Sequence, residues 1–148
     1  MKKKILITGA KGQVGAELMR EAIVRGHDVE GYNSAELDIS DAKQVLKALE
    51  AFQPQAVINA AAYTAVDKAE EEPDKAFAVN AQGVSHLAEA CQKFDVPLLH
   101  ISTDYVFDGK KITGYLESDE PHATGVYGAS KLAGEQLLQN KWHKHIIL

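Results

Sequence analysis

Short apolar runs alternate along the chain with longer segments of helical periodicity, an arrangement typical of a parallel sheet covered by helices. Strands are predicted at residues 5–7, 28–32, 36–39, 56–59, 97–102 and 145–148. Helices are predicted at about residues 14–25, between Ser40 and Pro54, at about 73–93, and from about Tyr127 onwards. The pattern therefore predicts a three-layer α/β domain in which about six parallel strands lie between helices.

Individual residues indicate where these helices end and which side faces the core. Gly26 follows the first helix, and Ser40 is predicted to cap the second. The acidic run 70–72 is interpreted as charge at the N-terminus of the long helix, where the helix dipole favours it. Trp142 is predicted to pack the last helix against the sheet. One apolar stripe of the long helix is formed by Val84, Leu87, Ala88 and Cys91.

Composition narrows the class of protein. The 148 residues are 45% hydrophobic and 25% charged, which predicts one globular domain. The net charge is −5, and no basic cluster extends beyond residues 2–4, so a nucleic-acid-binding face is not expected. The apolar stretch after these lysines ends at Gly9, too early for a signal peptide or membrane span. With Cys91 as the single cysteine, we expect a soluble cytoplasmic protein.

A glycine-rich turn joins the first predicted strand to the first predicted helix. Gly9 permits a tight turn, Gly12 allows a pyrophosphate to approach the backbone, and Gly15 allows the helix to pack closely on the strand. The helix N-terminus then offers unpaired N–H groups to phosphates. The alternative is an ordinary strand-to-helix turn. The strand–turn–helix context favours dinucleotide binding, and with it a Rossmann-type, doubly wound sheet.

The choice between NAD and NADP stays open, with NADPH slightly favoured. Glu30 has the spacing of the acidic residue that binds the NAD ribose, but it lies inside the second predicted strand. The strand tip is instead formed by residues 32–34, and Lys11 in the glycine turn is available for a 2′-phosphate. Asp38, with Ile39, is a candidate to flank adenine; the alternative is a helix N-terminal acid beside Ser40.

Three features that are expected to converge on one edge of the sheet indicate chemistry. Tyr127 and Lys131 are four residues apart on one helical face, where the ammonium favours the phenolate and can bind the cofactor ribose. The segment 102–105 follows the fifth predicted strand and supplies a hydroxyl for a substrate carbonyl. The segment 59–62, rich in alanine, would let a cofactor lie close to the fourth strand. His143 and His145 lack a third ligand, so no metal site is predicted.

These motifs resemble the extended short-chain dehydrogenase/reductase family. The resemblance rests on residues 9–15, 59–70, 102–109 and 127–135, which together span nearly the whole chain. It implies that Tyr127 is a general acid, that Lys131 tunes it and binds ribose, and that Thr103 polarises a keto group beside Asp104. The cofactor-lining residues that it implies are Gly12, Gln13, Val14, Asp38, Ile39, Ala60, Ala61 and Ala62.

The implied reaction is reduction of the C4 keto group of a nucleotide-linked sugar, dTDP-4-dehydro-L-rhamnose, by a nicotinamide cofactor. Asn80 resembles an asparagine that supports the site; the alternative is a helix-surface amide. The sequence has Ala123 and Gly125 where family members usually have proline and asparagine, so a looser approach to Tyr127 is expected.

Length is the larger departure from the family. Residues 1–148 are expected to form a NAD(P)-binding domain that ends within the sixth predicted strand, without the lobe that contacts substrate. Cofactor binding with poor turnover is therefore expected. The alternatives are a non-catalytic NADP-binding regulatory module and an engineered or truncated fragment. Association into a homo-oligomer is left open by the sequence.

Overall fold

A computed structural model describes all residues, 1–148, and contains five strands and six α-helices. The strands are β1 (Lys4–Thr8), β2 (Asp28–Tyr32), β3 (Ala56–Asn59), β4 (Leu98–His100) and β5 (His145–Ile147). The helices are α1 (Gln13–Val24), α2 (Ala42–Phe52), α3 (Val66–Glu71), α4 (Pro73–Phe77), α5 (Val84–Phe94) and α6 (Val126–Lys141). A π-helical segment, Ala78–Gly83, joins α4 to α5, and a 3₁₀ turn, Asp104–Val106, follows β4.

All strand pairs are parallel, and the strand order is β2-β1-β3-β4-β5. The chain adds β2 on one side of β1 and every later strand on the other, so the direction of winding reverses between β1 and β3. Ligands of open α/β sheets bind outside the carboxyl ends of the strands at such a reversal. The predicted fold class, a Rossmann-type doubly wound sheet, is confirmed.

The strand predicted at residues 36–39 is not formed, and the sheet has five strands rather than six. The backbone carbonyl of Asn33 accepts hydrogen bonds from the amides of Glu36 and Leu37, and the Glu36 carboxylate accepts one from the Asn33 amide. These bonds close a turn. Leu37 and Ile39 are nevertheless buried in the core, with 4% and 3% exposure. Their alternation with polar residues therefore reflects burial in a turn rather than strand pairing.

The main core lies on the face of the sheet that α2, α5 and α6 cover. Leu6, Val57 and Leu98 are register partners on β1, β3 and β4, and all three are buried there. The helices contribute Val45, Leu49, Val84, Leu87, Cys91 and Leu138. The opposite face carries α1, whose Met19 lies where a side chain at Gly31 of β2 would project. Helices thus cover both faces, as predicted.

The helical region after β3 differs in detail from the prediction. A separate helix, α3, precedes the predicted long helix, and the π-helical segment interrupts that long helix. Glu70 and Glu71 consequently lie at the C-terminal end of α3, so the interpretation of residues 70–72 as helix N-terminal charge is wrong for both; only Glu72 occupies an N-cap, that of α4. Similarly, the cap of α2 is Asp41 rather than Ser40. None of the helices combines the length and apolarity that a membrane crossing requires.

Trp142 packs the end of α6 into the core, as predicted. Its ring is 4% exposed, and its indole N–H donates to the backbone carbonyl of Val96 at 2.8 Å. Val96 precedes β4, so this single side chain ties α6 to the segment that enters the sheet. An indole fills this position because it combines a large apolar surface with one donor.

We expect Trp142→Phe to lower the free energy of unfolding by about 2 kcal/mol, because it removes buried volume and leaves the Val96 carbonyl without its donor. Urea denaturation followed by circular dichroism measures this change. Phe77→Leu, at an aromatic side chain that is 37% exposed, serves as the control and should cost clearly less. Equal losses in the two variants would contradict the role given to the indole.

Candidate functional site

A cleft of about 700 Å³ opens at the carboxyl edge of the sheet, where the winding reverses. Residues from the β1–α1 turn, the segment after β2, the segment after β3 and helix α6 line it. The predicted site residues found in its wall are Gly9, Gly12, Gln13, Val14, Asp38, Ile39, Ala60, Ala61, Ala62, Tyr127 and Lys131. The fold therefore brings together most of the residues that were singled out in the sequence.

The glycine turn is shaped by close backbone contacts. Gly9 has a φ of +71°, and a Cβ there would lie 2.5 Å from the Ala60 carbonyl oxygen. Gly15 lies beneath the turn rather than in the cleft wall; a Cβ there would lie 2.1 Å from the Gly9 carbonyl oxygen. Gly12 is the N-cap of α1 and offers no capping side chain, and no acidic residue occupies the first turn. The N-terminal amides of α1 thus face a site suited to an anion.

The tip of β2 forms the far wall of the cleft without a free carboxylate. Glu30 lies inside β2 and accepts a hydrogen bond from the Tyr32 hydroxyl at 2.7 Å; burial and this carboxylate raise the pKa of Tyr32 to about 12. Asn33 and Ser34 line the cleft at the tip, together with Lys11 from the glycine turn. The two carboxylates near the tip, Glu30 and Glu36, are both engaged within the protein, by the Tyr32 hydroxyl and the Asn33 amide, and neither lines the cleft.

Asp38 lies in the cleft wall, and its carboxylate is partly engaged locally. One oxygen accepts from the backbone amide and the hydroxyl of Ser40, at 2.9 and 2.7 Å. Ile39 is buried behind it against the π-helical segment, where a Cβ at Gly83 would lie 2.7 Å from Ile39 Cγ1. Asp38 therefore both stabilises the turn before α2 and faces the cleft.

Lys131 is the most unusual side chain of the cleft because it is 2% exposed. Its ammonium donates to the Ile101 carbonyl oxygen at 2.6 Å. Burial lowers the pKa of Lys131 to about 8, although the nearby Glu135 carboxylate opposes part of the shift. Tyr127, one helical turn earlier, is half-buried, and the Tyr105 ring meets its ring edge-on at a centroid distance of 5.5 Å.

Thr103 and Asp104 do not line this cleft. They line a second cavity of about 700 Å³, which shares Ile101 and Ser102 with the first. The Thr103 hydroxyl begins the 3₁₀ turn, accepting from the Tyr105 amide and donating to the Asp104 carboxylate, both at 3.3 Å. The structure thus places the predicted substrate residues in an adjoining space, and their role stays a prediction.

Asn80 is not a helix-surface amide. It is 1% exposed and lies in the π-helical segment. Its side chain accepts from the Tyr63 amide at 2.8 Å and donates to the Tyr63 carbonyl oxygen at 3.0 Å. It also donates to the Ser130 hydroxyl at 3.0 Å. Asn80 therefore fixes the segment after β3 relative to α6, next to Tyr127 and Lys131.

Two polar features of the site were not predicted. The first is Glu70, whose carboxylate accepts a hydrogen bond from the Val126 amide at 2.7 Å and so caps α6, where Gly125 provides no side chain. This contact fixes the residue directly before Tyr127, in the segment that the sequence suggested would be loose. The second is a buried chain of side chains through Asn59 and His100. A histidine within the apolar run 98–101 was the one sequence signal for it.

The glycine turn, the cleft at the winding reversal and the Tyr127–Lys131 pair define the nucleotide-binding domain of a short-chain dehydrogenase/reductase. Residues 2–148 match the family model described as RmlD substrate binding domain, and the chain belongs to that family.

The chain is 46% identical over 146 residues to a dTDP-4-dehydrorhamnose reductase of Aggregatibacter actinomycetemcomitans, covering 98% of this chain and 50% of that protein. A dTDP-4-dehydrorhamnose reductase of Bacillus anthracis, solved in complex with NADP, superposes with a TM-score of 0.96 at 41% identity, over 99% of this chain and 52% of that one. A UDP-glucose 4-epimerase of Thermus thermophilus, solved in complex with NAD, superposes with a TM-score of 0.85 at 26% identity, over 93% of this chain and 50% of that one. The chain spans about half the length of the relatives it matches.

We expect Glu70→Ala to destabilise the protein by about 1 kcal/mol, because the first amide of α6 loses its acceptor. Urea denaturation measures the loss. Gly125 has extended backbone angles that any residue can adopt, so Gly125→Asn in the Glu70→Ala background should restore a cap from within the helix itself.

The same Gly125→Asn change in the parent chain is the control. A Cβ there would lie 3.0 Å from the Glu70 carboxylate, so no gain is expected. If the double variant is no more stable than Glu70→Ala alone, capping is not what Glu70 contributes.

We expect burial of Lys131 to cost stability near neutral pH. Because its pKa falls to about 8 in the folded protein, the unfolded chain binds more protons between about pH 8 and 10.5, and stability due to this group rises with pH through that window. Relative to the parent, Lys131→Met should therefore be more stable at pH 7 than at pH 10.5, by up to about 3 kcal/mol.

Urea denaturation of both proteins at the two pH values gives this difference directly. The exposed Lys47→Met is the matched control, and its effect should be the same at both pH values. A pH-independent effect of Lys131→Met would contradict the burial of a titrating ammonium.

Proposed function

We propose that this chain is the cofactor-binding part of a dTDP-4-dehydrorhamnose reductase, which reduces the C4 keto group of dTDP-4-dehydro-L-rhamnose with NADPH or NADH. The observation that carries the proposal is that Tyr127 and Lys131 face the same cleft as the N-terminus of α1. A phosphate-binding turn and a proton donor on one cleft are what a nicotinamide-dependent carbonyl reduction needs. The similarity to dTDP-4-dehydrorhamnose reductases supports the substrate class.

The residues of the cleft fit a dinucleotide. The amides of α1 suit a pyrophosphate, and Gly12 keeps the entrance free of side-chain atoms. The small side chains of Ala60, Ala61 and Ala62 let a flat group lie against the segment after β3. When bound, the cofactor supplies the hydride.

The protein supplies the proton. The Lys131 ammonium lines the same cleft one helical turn from Tyr127, and in this proposal it assists the proton transfer and binds the cofactor ribose. In this proposal Tyr127 donates that proton to the C4 oxygen as the hydride arrives at C4. Thr103 turns its hydroxyl from Asp104 to donate a hydrogen bond to the same oxygen, and Asp104 contacts the sugar. The substrate occupies the second cavity and reaches the cofactor over residues 101–102.

We favour NADPH over NADH, because Lys11, Asn33 and Ser34 line the cleft where a 2′-phosphate would lie and Glu30 is engaged by Tyr32. The free Cys91 thiol supports a reducing, cytoplasmic location. The substrate partner is a nucleotide-sugar, and nucleic acid is not an expected partner. Self-association into a homo-oligomer is open to measurement by light scattering.

A second candidate is an NADP-binding module without turnover. It is favoured by the position of Thr103, which lines the second cavity rather than the cleft of Tyr127. Incubation of the purified chain with NADPH and dTDP-4-dehydro-L-rhamnose separates the two candidates: consumption of NADPH supports the reductase, whereas binding without consumption supports the module.

We expect Gly12→Val to weaken NADPH binding by about tenfold or more, because the added side chain fills the entrance to the N-terminus of α1. Tyr127→Phe should change the affinity by no more than about twofold, since it removes only the hydroxyl proposed for proton transfer. Fluorescence titration of each variant with NADPH and then NADH measures both effects and the preference for the phosphate. An unchanged affinity in Gly12→Val would remove the basis for the assigned cofactor site.

A further inference from the structure

A chain of three polar side chains crosses the sheet beneath the cleft. Thr8 on β1, Asn59 on β3 and His100 on β4 are register partners on neighbouring strands, and none is more than 1% exposed. The Thr8 hydroxyl donates to Asn59 Oδ1 at 2.6 Å, and Asn59 Nδ2 lies 2.9 Å from His100 Nδ1. Two residues earlier on the same three strands, and on the same face of the sheet, lie the apolar core residues Leu6, Val57 and Leu98.

The backbone determines the direction of every bond in this chain. The Ala61 amide can only donate, and it lies 3.1 Å from the Asn59 atom assigned as Oδ1, so that atom must be the oxygen. Asn59 Nδ2 therefore faces His100 and can only donate. Consequently His100 Nδ1 accepts, and the imidazole carries its proton on Nε2. A charged imidazole would set two donors against each other.

The surroundings of His100 agree with a neutral ring. Burial lowers the pKa of His100 to about 3, and the charge of Lys131 contributes to the shift. Nε2 is buried and has no hydrogen-bond partner. A charged ring without a partner for this nitrogen would cost more than a neutral one, so the burial of Nε2 also favours the neutral imidazole.

The polar chain connects the three backbone segments that shape the cleft. Thr8 directly precedes Gly9 of the glycine turn. Asn59 Oδ1 holds the Ala61 amide in the opposite wall. His100 directly precedes Ile101, whose carbonyl oxygen binds the ammonium of Lys131. A substitution at His100 would therefore affect the wall of the cleft at Ala61 and the Ile101 carbonyl that binds the Lys131 ammonium.

We propose that His100 is a positioning residue for the cofactor cleft: as a neutral, Nε2-protonated imidazole it orients the Asn59 amide, which in turn fixes Ala61 against the glycine turn. The link to cofactor binding rests on the proposed function, whereas the tautomer and the restraint on Ala61 do not. Without an acceptor at His100, the Asn59 side-chain amide can rotate by half a turn. Asn59 Nδ2 would then replace Oδ1 opposite the Ala61 amide, and two donors would face each other.

The test has one measurement on the parent chain and two variants. Two-bond ¹H–¹⁵N spectra of the imidazoles should show His100 protonated on Nε2 and unprotonated on Nδ1 at pH 7. His100→Asn keeps an acceptor close to the Nδ1 position, and His100→Leu keeps a similar volume without any acceptor. Hydrogen exchange of the Ala61 amide and fluorescence titration with NADPH are then compared between the variants.

We expect His100→Leu to accelerate exchange of the Ala61 amide by about tenfold or more and to weaken NADPH binding by about tenfold, with His100→Asn within about threefold of the parent in both. Proton assignment to Nδ1, a charged ring at pH 7, or equal behaviour of the two variants would overturn the proposal. If His100→Leu does not fold, the imidazole spectra and the Asn variant still decide it. A parent chain that shows the Nε2 tautomer and protected Ala61 but does not bind NADPH contradicts the proposed function and leaves the positioning role supported.

Discussion

The close approach of two backbone segments at the carboxyl edge of the sheet is the constraint on which the cleft depends. The glycine turn lies directly against the Ala60–Ala61 peptide, and helix α1 begins directly against the turn, so no Cβ fits at Gly9 or Gly15. This arrangement brings the N-terminus of α1 to the point where the sheet reverses its winding. A larger residue at either glycine would push the helix away, and the amides of α1 would no longer face the segment after β3. The cleft is therefore a consequence of backbone packing before any side chain contributes to it.

Lys131 shows a conflict between stability and chemistry. An ammonium that is 2% exposed has lost most of its hydration, and one hydrogen bond to Ile101 does not restore it, which is why its pKa falls to about 8. The packing of α6 against α5 and the π-helical segment offsets this loss of stability. Lys131 shares the cleft wall with Tyr127, and the proposed proton transfer uses both residues. The side chain whose burial destabilises the fold is thus one that the proposed chemistry needs.

Much of the fold and of the cleft could be predicted because the signals are local. Strand and helix periodicity, the glycine turn and the four-residue spacing of Tyr127 and Lys131 are all visible within short windows of sequence. The strand expected at residues 36–39 failed because a buried turn at Leu37 and Ile39 produces the same alternation as a strand. Glu70 and His100 could not be assigned from the sequence, because their partners at Val126 and Asn59 are 56 and 41 residues away. Pairings at that distance are set by strand order and helix packing rather than by neighbouring residues.

The position of Thr103 decides how the two cavities are interpreted. A hydroxyl that served the same space as the cofactor would line the cleft of Tyr127, but Thr103 lines the second cavity, and only Ile101 and Ser102 border both. A hydride transfer between two molecules needs binding spaces that meet at the reacting atoms, and two adjoining cavities can provide them. The boundary at residues 101–102 is also where the Ile101 carbonyl holds Lys131 and where the Ser102 hydroxyl donates to Glu135. Lys131 is therefore anchored at this boundary through Ile101, and in the proposed reaction a cofactor in one cavity and a sugar in the other would come into contact there.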